Sequence, residues 1–576
     1  MNYTAVDGLG RKLTEVGERR PGRFVGMFYW TWHTYNGRGK TPRNNTEIIA
    51  KYPEAVNDWN HPAWENVPYG YPHFWGEPCY GYYSDLDAYV VRKNAELLTL
   101  AGVDVIIFDC TNGRFLWDEE YKFQAKVYLN AIKQGLNVPK FAFMMTFCNH
   151  PDTRDMLHRV YKEFYSLEEN KDLFFYWEGK PLVMAHKGSL DMNDPLDREI
   201  ADFFTFRSNE PTYFADDTYY NDTENWWGWC SVYPQTKYSV KPDGRPEQMC
   251  VSVAQNANDT GLIAMNNNGG KGVYGRPYAK GDYSYKYDNY GVETIVCKDI
   301  PNDYLYGRNF QQQWDYAIEN DPEFIFVTGW NELIAGRFTE WEGTPNAFPD
   351  QFDYVRSRDI EPTKTKLGDC YYYQLCENVR RYKYEKKPID VKIETADINI
   401  DGFDWDIIKN EFVQPVGSGL ARGCDGWGKS LHFEQEAAEN SVILSKCAKN
   451  EKNLYFMCKC EKNVTFPDVA IFIAASDATR ENSWDGFTYA INRTFSGDGT
   501  ISVERSLGGF NWEVIAHGRM TVRDNIIQYE IPIISDNIAE NIGFKFACGN
   551  FDDGNMMDFY TKGQTAPAGR FYYKVI

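Results

Sequence analysis

Several features are missing from this chain, and each absence removes a class of function. No apolar run approaches the roughly 20 residues that a membrane-spanning helix needs. Met1 to Trp30 carries Arg11, Lys12, Arg19, Arg20 and Arg23 but no continuous apolar core, so no secretory leader is read there. As written the chain reads as cytoplasmic, or as secreted or periplasmic if a leader has been removed. The 13 cysteines include no C-x-x-C, and Cys458 and Cys460 have no second pair to complete a zinc site. Reduced and mostly buried thiols are expected, which favours a reducing compartment. The 8 histidines include no H-E-x-x-H, so no metal site is expected. The Gly-rich stretch Asn266–Gly272 lacks the spacing of a phosphate-binding loop, and no G-x-G-x-x-G follows a strand. No G-x-S-x-G elbow marks an esterase. No organic cofactor is expected. Positive charge is short as well: Lys and Arg number 61 against 82 Asp and Glu, a net charge of −21. An acidic surface repels phosphate backbones and anionic lipid, so neither nucleic acid nor a membrane surface is an expected partner.

What is abundant is aromatic. Tyr 41, Phe 36 and Trp 17 make up 16% of 576 residues, more than a core requires and suited to a sugar-binding groove. Charged residues at 25% and hydrophobic residues at 43% describe an ordinary globular chain, and the length allows two to four domains. The oligomeric state is not legible.

Composition shifts near residue 388, after the charged, proline-ended segment YKYEKKP at Tyr382–Pro388. Before it, eight strands are expected: Phe24–Trp32, Val103–Asp109, Lys140–Phe147, Pro181–His186, Asp202–Arg207, Trp227–Tyr233, Gln248–Gln255 and Phe324–Trp330. Several are continuous apolar runs, the mark of strands covered on both faces. Helical periodicity is read over Leu86–Ala101, Lys122–Gln134, Pro151–Leu167, Phe310–Glu319 and Leu367–Tyr382. Such alternation is expected to form a (β/α)8 TIM barrel over residues 1–388. The aperiodic stretch Ala257–Tyr304 is expected to be a functional loop over its mouth. Residues 389–576 show short alternating strands and turns such as Asp485-Gly486 and Asp553-Gly554, the pattern of an all-β sandwich domain.

Barrel active sites lie at the carboxyl ends of the strands, so polar residues that end an apolar run are the ones to read. The eighth run ends Thr328-Gly329-Trp330-Asn331-Glu332, and the second ends Phe108-Asp109. Two carboxylates flanking a glycosidic bond supply the acid and the base or nucleophile of hydrolysis. The structural alternative for Asp109 is a helix N-cap or a bond to a loop backbone. For Glu332 it is a buried ion pair with Arg337 or Arg358. Trp30, Trp32, His33, Asn149, His150, His186, Arg207, Trp229, Gln255 and Asn331 are expected to line a carbohydrate site, by hydrogen bonding to hydroxyls or by stacking on the ring.

The stretch FIFVTGWNELIAGR, Phe324–Arg337, resembles the late barrel strand of glycoside hydrolase families 71 and 99, where an Asn-Glu or Asn-Asp pair ends the strand. HFWGEPCYGYY at His73–Tyr83, AGVDVIIFDCTN at Ala101–Asn112 and QFDYVRSRDIEP at Gln351–Pro362 resemble bacterial family-99-like proteins. The resemblance implies hydrolysis of α-linked glycans on a (β/α)8 barrel, with Glu332 as the first carboxylate. Family 99 carries a second Glu three positions later, where this chain has Ala335. The second carboxylate is therefore assigned to Asp109, with Glu340, Glu342, Asp216 and Asp217 in reserve. IDGFDWD (Ile400–Asp406), NLYFMCKCEKNV (Asn453–Val464), WDGFTYAINR (Trp484–Arg493) and MMDFYTKGQTAPAGRFYY (Met556–Tyr573) resemble family 9 carbohydrate-binding modules, which implies Trp405, Trp427, Trp484 and Trp512 as candidate sugar-stacking residues. The rival reading is a non-catalytic glycan-binding protein, which Ala335 favours.

Overall fold

The computed structural model describes residues 2–34, 40–147, 149–210, 213–214, 225–388, 390–495, 497–549, 551 and 553–576. Eight parallel strands form its first sheet: β1 (Phe24–Tyr29), β2 (Val105–Asp109), β3 (Lys140–Met144), β4 (Lys180–Met184), β5 (Thr205–Glu210), β6 (Trp226–Gly228), β7 (Gln248–Ser252) and β8 (Phe324–Thr328). They follow the order β7-β8-β1-β2-β3-β4-β5-β6, a nearly closed barrel. Six helices cover it: α1 (Ala88–Ala101), α2 (Asp118–Lys133), α3 (Pro151–Val160), α4 (Pro195–Phe203), α5 (Arg308–Asn320) and α6 (Cys370–Lys383). The alternation is thus less regular than expected, since no α-helix is found among the described residues between β5 and β7. Local chemistry sets the helix ends. Asp87 caps α1 by accepting from the backbone N–H of Tyr89 and Val90, and Gly102, at φ 81°, ends it in the left-handed conformation.

Strand alternation sorts the side chains into two cores. Phe28, Val105, Ile107, Ala142, Met144, Leu182, Met184, Trp227, Cys250, Phe324 and Phe326 fill the barrel interior. Their neighbours Val25, Met27, Ile106, Phe108, Phe141, Phe143, Val183, Met249, Val251, Ile325 and Val327 face the helices. Gly26 is required by this packing, because a Cβ there would lie 2.5 Å from the Phe324 ring.

The seam between β6 and β7 is closed by a side chain. Nε2 of Gln248 donates to the carbonyl of Gly228 at 2.8 Å, and the N–H of Gly228 donates to Oε1 of Gln248 at 3.2 Å. The carboxamide stands where a ladder pair would stand. Gln248 is fully buried, so nothing from solvent can replace it.

The first half of the expected mouth loop, around Ala257 and Tyr274, does pack against the barrel interior. Its second half does not cover the mouth. The hairpin Tyr285–Asn289/Val292–Val296 packs on the N-terminal segment, where Arg11 bridges Asn289 and the N–H of Lys12 donates to the Asp288 carbonyl at 3.2 Å.

The second large sheet is separate and mainly antiparallel. Strand Trp512–Arg523 pairs with Thr500–Ser506 along its first part and with Ile526–Pro532 along its second, so it carries the sheet from one half to the other. Ile471, Ile491, Val503 and Phe546 from one half share a buried cluster with Leu454, Phe456, Ile527 and Tyr529 from the other. The chain's start joins this sheet: Tyr3–Thr4 pairs antiparallel with Tyr572–Val575. The barrel and the sheet meet through Phe571 against Tyr372 and Tyr373 of α6, and Trp427 against Phe74. All described cysteines are free, and only Cys297 and Cys424 among them are not buried. No helix among the described residues is long and apolar enough to cross a membrane.

Gln248→Ala removes both seam bonds and leaves two buried backbone groups unpaired. It is expected to lower stability by about 2–4 kcal/mol, read by urea denaturation against wild type. An unchanged midpoint would show that the seam does not depend on the carboxamide.

Candidate active site

Where β8 ends, the chain passes through Gly329 to Glu332. Gly329 packs on Trp30, and a Cβ there would lie 2.4 Å from the indole. Glu332 is held first by its backbone. Its N–H donates to Oδ1 of Asp359 at 2.8 Å, and its carbonyl accepts from Nε1 of Trp75 at 3.1 Å. That indole also lies 3.2 Å from Oδ2 of Asp359, so one carboxylate and one indole clamp the peptide. On the side chain, Oε2 accepts from Nε2 of Gln351 at 2.9 Å and from Nη2 and Nε of Arg358 at 2.9 and 3.2 Å. Oε1 accepts no hydrogen bond among the described residues. Glu332 is only 3% exposed. Burial pushes its carboxyl well above the usual range; Arg358 pulls it back, and Asp350 and Asp359 add to the rise.

The ion-pair alternative for Glu332 is therefore realised with Arg358. Arg337 is engaged elsewhere, bonding Oδ1 of Asn346 at 2.7 Å and stacking on Trp59. Arg358 also reaches Oδ1 of Asp350 and Oδ1 of Asn256, each at 3.2 Å, and lies 5.1 Å from the Trp229 ring centroid. Asp350 is the open member of the group, with 43% of its side chain exposed.

Asp109 continues the inward series of Val105 and Ile107 and ends β2. Oδ1 accepts from the N–H and hydroxyl of Thr111 at 3.1 and 2.8 Å, so the loop-backbone alternative is realised for that oxygen. Oδ2 accepts nothing among the described residues. Burial pushes this carboxyl up to about 6, against Thr111, and the charges of Asp350 and Arg358 act on it as well. Asp109, Asp350, Arg358 and Glu332 thus share one end of the barrel, beside Trp30 and Trp229.

Other expected residues are placed differently. Asn331 spends its amide on the backbone: Oδ1 accepts from the Trp30 N–H at 2.9 Å, and Nδ2 donates to the Trp30 carbonyl at 3.0 Å. It extends the β8–β1 pairing and does not face the mouth. Gln255 follows β7 on the outward side, where Oε1 accepts from Asn309 of α5 at 2.8 Å. Arg207 is corrected to the opposite region of the barrel. Because α4 retains Asp202 and Phe203, β5 starts at Thr205 and Arg207 lies early in it. There it pairs with Glu247, the residue before β7, at 2.6 Å, and with Glu178, just before β4, at 3.0 Å. His33 is 1% exposed, with Nδ1 3.4 Å from Asp85 and its ring between Phe74 and Tyr83. Trp32 is half-buried beside Trp117. Asn149 and His150 are exposed; His150 caps α3 by accepting from the Asp152 N–H at 3.2 Å, and Asn149 accepts from Ser189. His186 is half-buried and edge-on to Trp226 at 5.4 Å, and burial lowers its pKa. Glu340 and Glu342 are exposed on the strand Ile334–Trp341 and its turn. Asp216 and Asp217 lie outside the described residues.

Asp350, Gln351 and Asp359 escape the reading of strand ends, whereas Arg358 is read there as an ion-pair partner and Asn256 as a residue that follows strand seven. They lie in irregular segments, where no period marks an inward face; the charged pair Arg358-Asp359 inside an otherwise mixed stretch is the one signal available. In the second sheet's region Trp405, Trp427 and Trp484 are buried and Trp512 is half-buried, so packing occupies three of the four expected sugar-stacking indoles. Gly423–Ser430 carries the letters of a phosphate loop, G-x-x-x-x-G-K-S. It runs instead through a hairpin and a three-residue 3-10 turn, with Trp427 buried against Phe74, and no strand-to-helix junction exists there. Among the described residues no group of three or more His, Cys, Asp or Glu is arranged to hold a metal ion.

No family model matches the chain, and no curated protein matches it. Among solved structures it is similar to the GH99 endo-alpha-mannosidase from Bacteroides thetaiotaomicron, at 14% identity and a TM-score of 0.30, with 62% of this chain and 96% of that chain covered. A complex of that enzyme with BIS-TRIS-propane matches at 15% identity, with the same TM-score and coverage. Neither likeness transfers a residue role.

Behind the mouth lies a further buried carboxyl, Glu361, which accepts from the Tyr83 hydroxyl at 2.8 Å and from Asn94 at 3.4 Å. Burial pushes it from about 4.5 up to about 8, against both bonds. The folded protein thus keeps a proton that the unfolded chain releases. This contribution to stability is full below pH ~4 and is lost as pH rises toward the folded value. Glu361→Gln abolishes that titration while keeping an acceptor for Tyr83. Its Tm relative to wild type is expected to rise between about pH 5 and pH 8 in scanning calorimetry; parallel Tm curves would contradict the assignment.

Proposed function

We propose that the barrel is a glycoside hydrolase, acting through Glu332 and a second carboxylate on an α-linked oligo- or polysaccharide. The observation that carries this reading is the state of Glu332. Its peptide is clamped, one carboxylate oxygen is held by Arg358 and Gln351, and the other accepts no hydrogen bond among the described residues. Paired with Arg358, Glu332 serves as the ionised carboxylate, the nucleophile or base, while Asp109, which burial raises to about 6, suits the acid that protonates the leaving oxygen. Asp109 and Asp350 supply the candidates for its partner. If the partner is Asp350, the enzyme retains configuration: both carboxylates touch the same Arg358 nitrogen, at 2.9 and 3.2 Å. Their nearest oxygens are therefore closer than the roughly 6.5–9.5 Å of an inverting pair. Trp30 and Trp229 are buried, at 2% and 8% exposed, and form the wall of the mouth; they offer no open stacking face.

The α-linkage rests on the motif resemblance around Phe324–Arg337. In this reading residues 1–388 form the catalytic unit, and 389–576, joined by Tyr3–Thr4, form a β-rich partner that supports it. A second reading, glycan binding without turnover, is favoured by Ala335, which stands where family 99 places a carboxylate.

The test is hydrolysis of α- and β-linked glycans and aryl glycosides by wild type, Glu332→Gln, Asp109→Asn and Asp350→Asn. Wild type is expected to release sugar, and Glu332→Gln to lose at least about a hundredfold. The larger loss between the two Asp variants names the partner. Full activity in Glu332→Gln would sink the assignment, and binding without release by wild type would establish the second reading.

A further inference from the structure

The loop between β2 and α2 displays aromatic rings outward against its own local preferences. Leu116 is fully buried and anchors the loop in the core. Phe115 and Trp117, on either side of it, are both left accessible. Phe115 is 58% exposed, and its ring lies 5.4 Å from that of Trp117, with the planes 21° apart. At that separation nearly parallel rings are offset, so part of each face stays uncovered. Trp117 in turn lies 5.8 Å from Trp32, with the planes 34° apart. Trp32 follows Trp30 by two residues at the end of β1. The three rings form a row from the barrel mouth to the outer surface.

Folding alone does not call for this arrangement. Trp117 has φ 56° and ψ 54°, the left-handed region that a bulky side chain rarely adopts. It also occupies the N-cap of α2 without a capping side-chain bond, where Asn, Asp or Ser is preferred. Backbone held in an unfavoured region gathers at functional sites. The loop is pinned at its base: Arg114 pairs with Asp152 and Arg159 with Asp118, each at 2.8 Å.

We infer that Trp32, Trp117 and Phe115 form a stacking platform for successive units of a glycan chain that extends out of the barrel mouth. The ligand class is an extended polysaccharide or long oligosaccharide, in place of a mono- or disaccharide. Stacking on ring faces asks only for the C–H face of a pyranose, so the platform sets chain length and direction and leaves sugar identity to the polar groups of the mouth. The inference rests on the reading of the mouth as a glycan site.

The test uses Phe115→Ser and Trp117→Asn in the full chain. Asparagine suits both the φ and the N-cap at 117, so that variant keeps or raises Tm. Migration is measured in native gels containing dextran, soluble starch or yeast α-mannan, beside hydrolysis of aryl glycosides. Wild type is expected to be retarded by at least one polysaccharide. Each variant is expected to bind it at least about tenfold more weakly, with aryl glycoside hydrolysis unchanged. Equal retardation of variants and wild type overturns the platform and leaves the hydrolase reading to the Glu332 result. Retardation by none of the three polysaccharides also overturns it. Retardation lost in the variants, with no hydrolysis by wild type, supports the platform and removes the hydrolase reading in favour of binding alone.

Discussion

A guanidinium buried against a carboxylate holds the mouth of this barrel together. Arg358 and Glu332 are both almost fully buried, and their contact brings a long irregular segment down over the end of β8. With that segment come Asp350, Gln351 and Asp359, each of which touches Glu332 or Arg358. Desolvating two charges is expensive, and a buried pair is a weak source of net stability. Breaking it is another matter, since removal of one partner strands the other charge in a low dielectric. The pair thus acts chiefly as a positional constraint. It fixes one oxygen of Glu332 and leaves the other without a hydrogen bond among the described residues, the arrangement on which the proposed chemistry depends.

The same scaffold uses side-chain amides where backbone pairing runs out. Gln248 spans the seam between β6 and β7, and Asn331 continues the pairing of β8 with β1 as far as Trp30. A carboxamide presents one donor and one acceptor, as a peptide group does, so each satisfies two buried backbone atoms at once. Glycine answers the opposite need. Gly26 and Gly329 leave room for the rings of Phe324 and Trp30, and these rings fill an interior that strand backbones alone would leave hollow.

The second domain explains an oddity of the barrel helices. Arg92, Lys93 and Glu96 on α1, and Arg380 on α6, are buried, although the outer faces of such helices usually meet water. Arg92 donates to the Val416 carbonyl at 3.0 Å and Lys93 to that of Ser418 at 2.7 Å, while Arg380 donates to the carbonyls of Tyr3 and Thr14. These cations cap loops of the sheet domain and of the N-terminal segment. Trp427 and Phe571 are consumed in the same contact, which is why aromatic abundance in the second half of the chain is a poor guide to a sugar site there.

Local pattern determined the eight strands of the barrel, because a continuous apolar run or a two-residue alternation is a property of neighbours in the chain. It also marked Asp109 and Glu332, since a carboxylate closing an apolar strand is visible without any partner. Tertiary structure alone decided the rest. The contact of Arg358 with Glu332 spans 26 residues, and that of Arg380 with Tyr3 spans 377. No local period records such pairings. Whether Asn331 and Gln255 would meet a ligand or the protein's own backbone turned on what stood beside them. A three-residue delay in the start of β5, from Asp202 to Thr205, put Arg207 with Glu247 instead of at the mouth, and strand periodicity sets only which residues share a face, never where along the barrel the first of them begins.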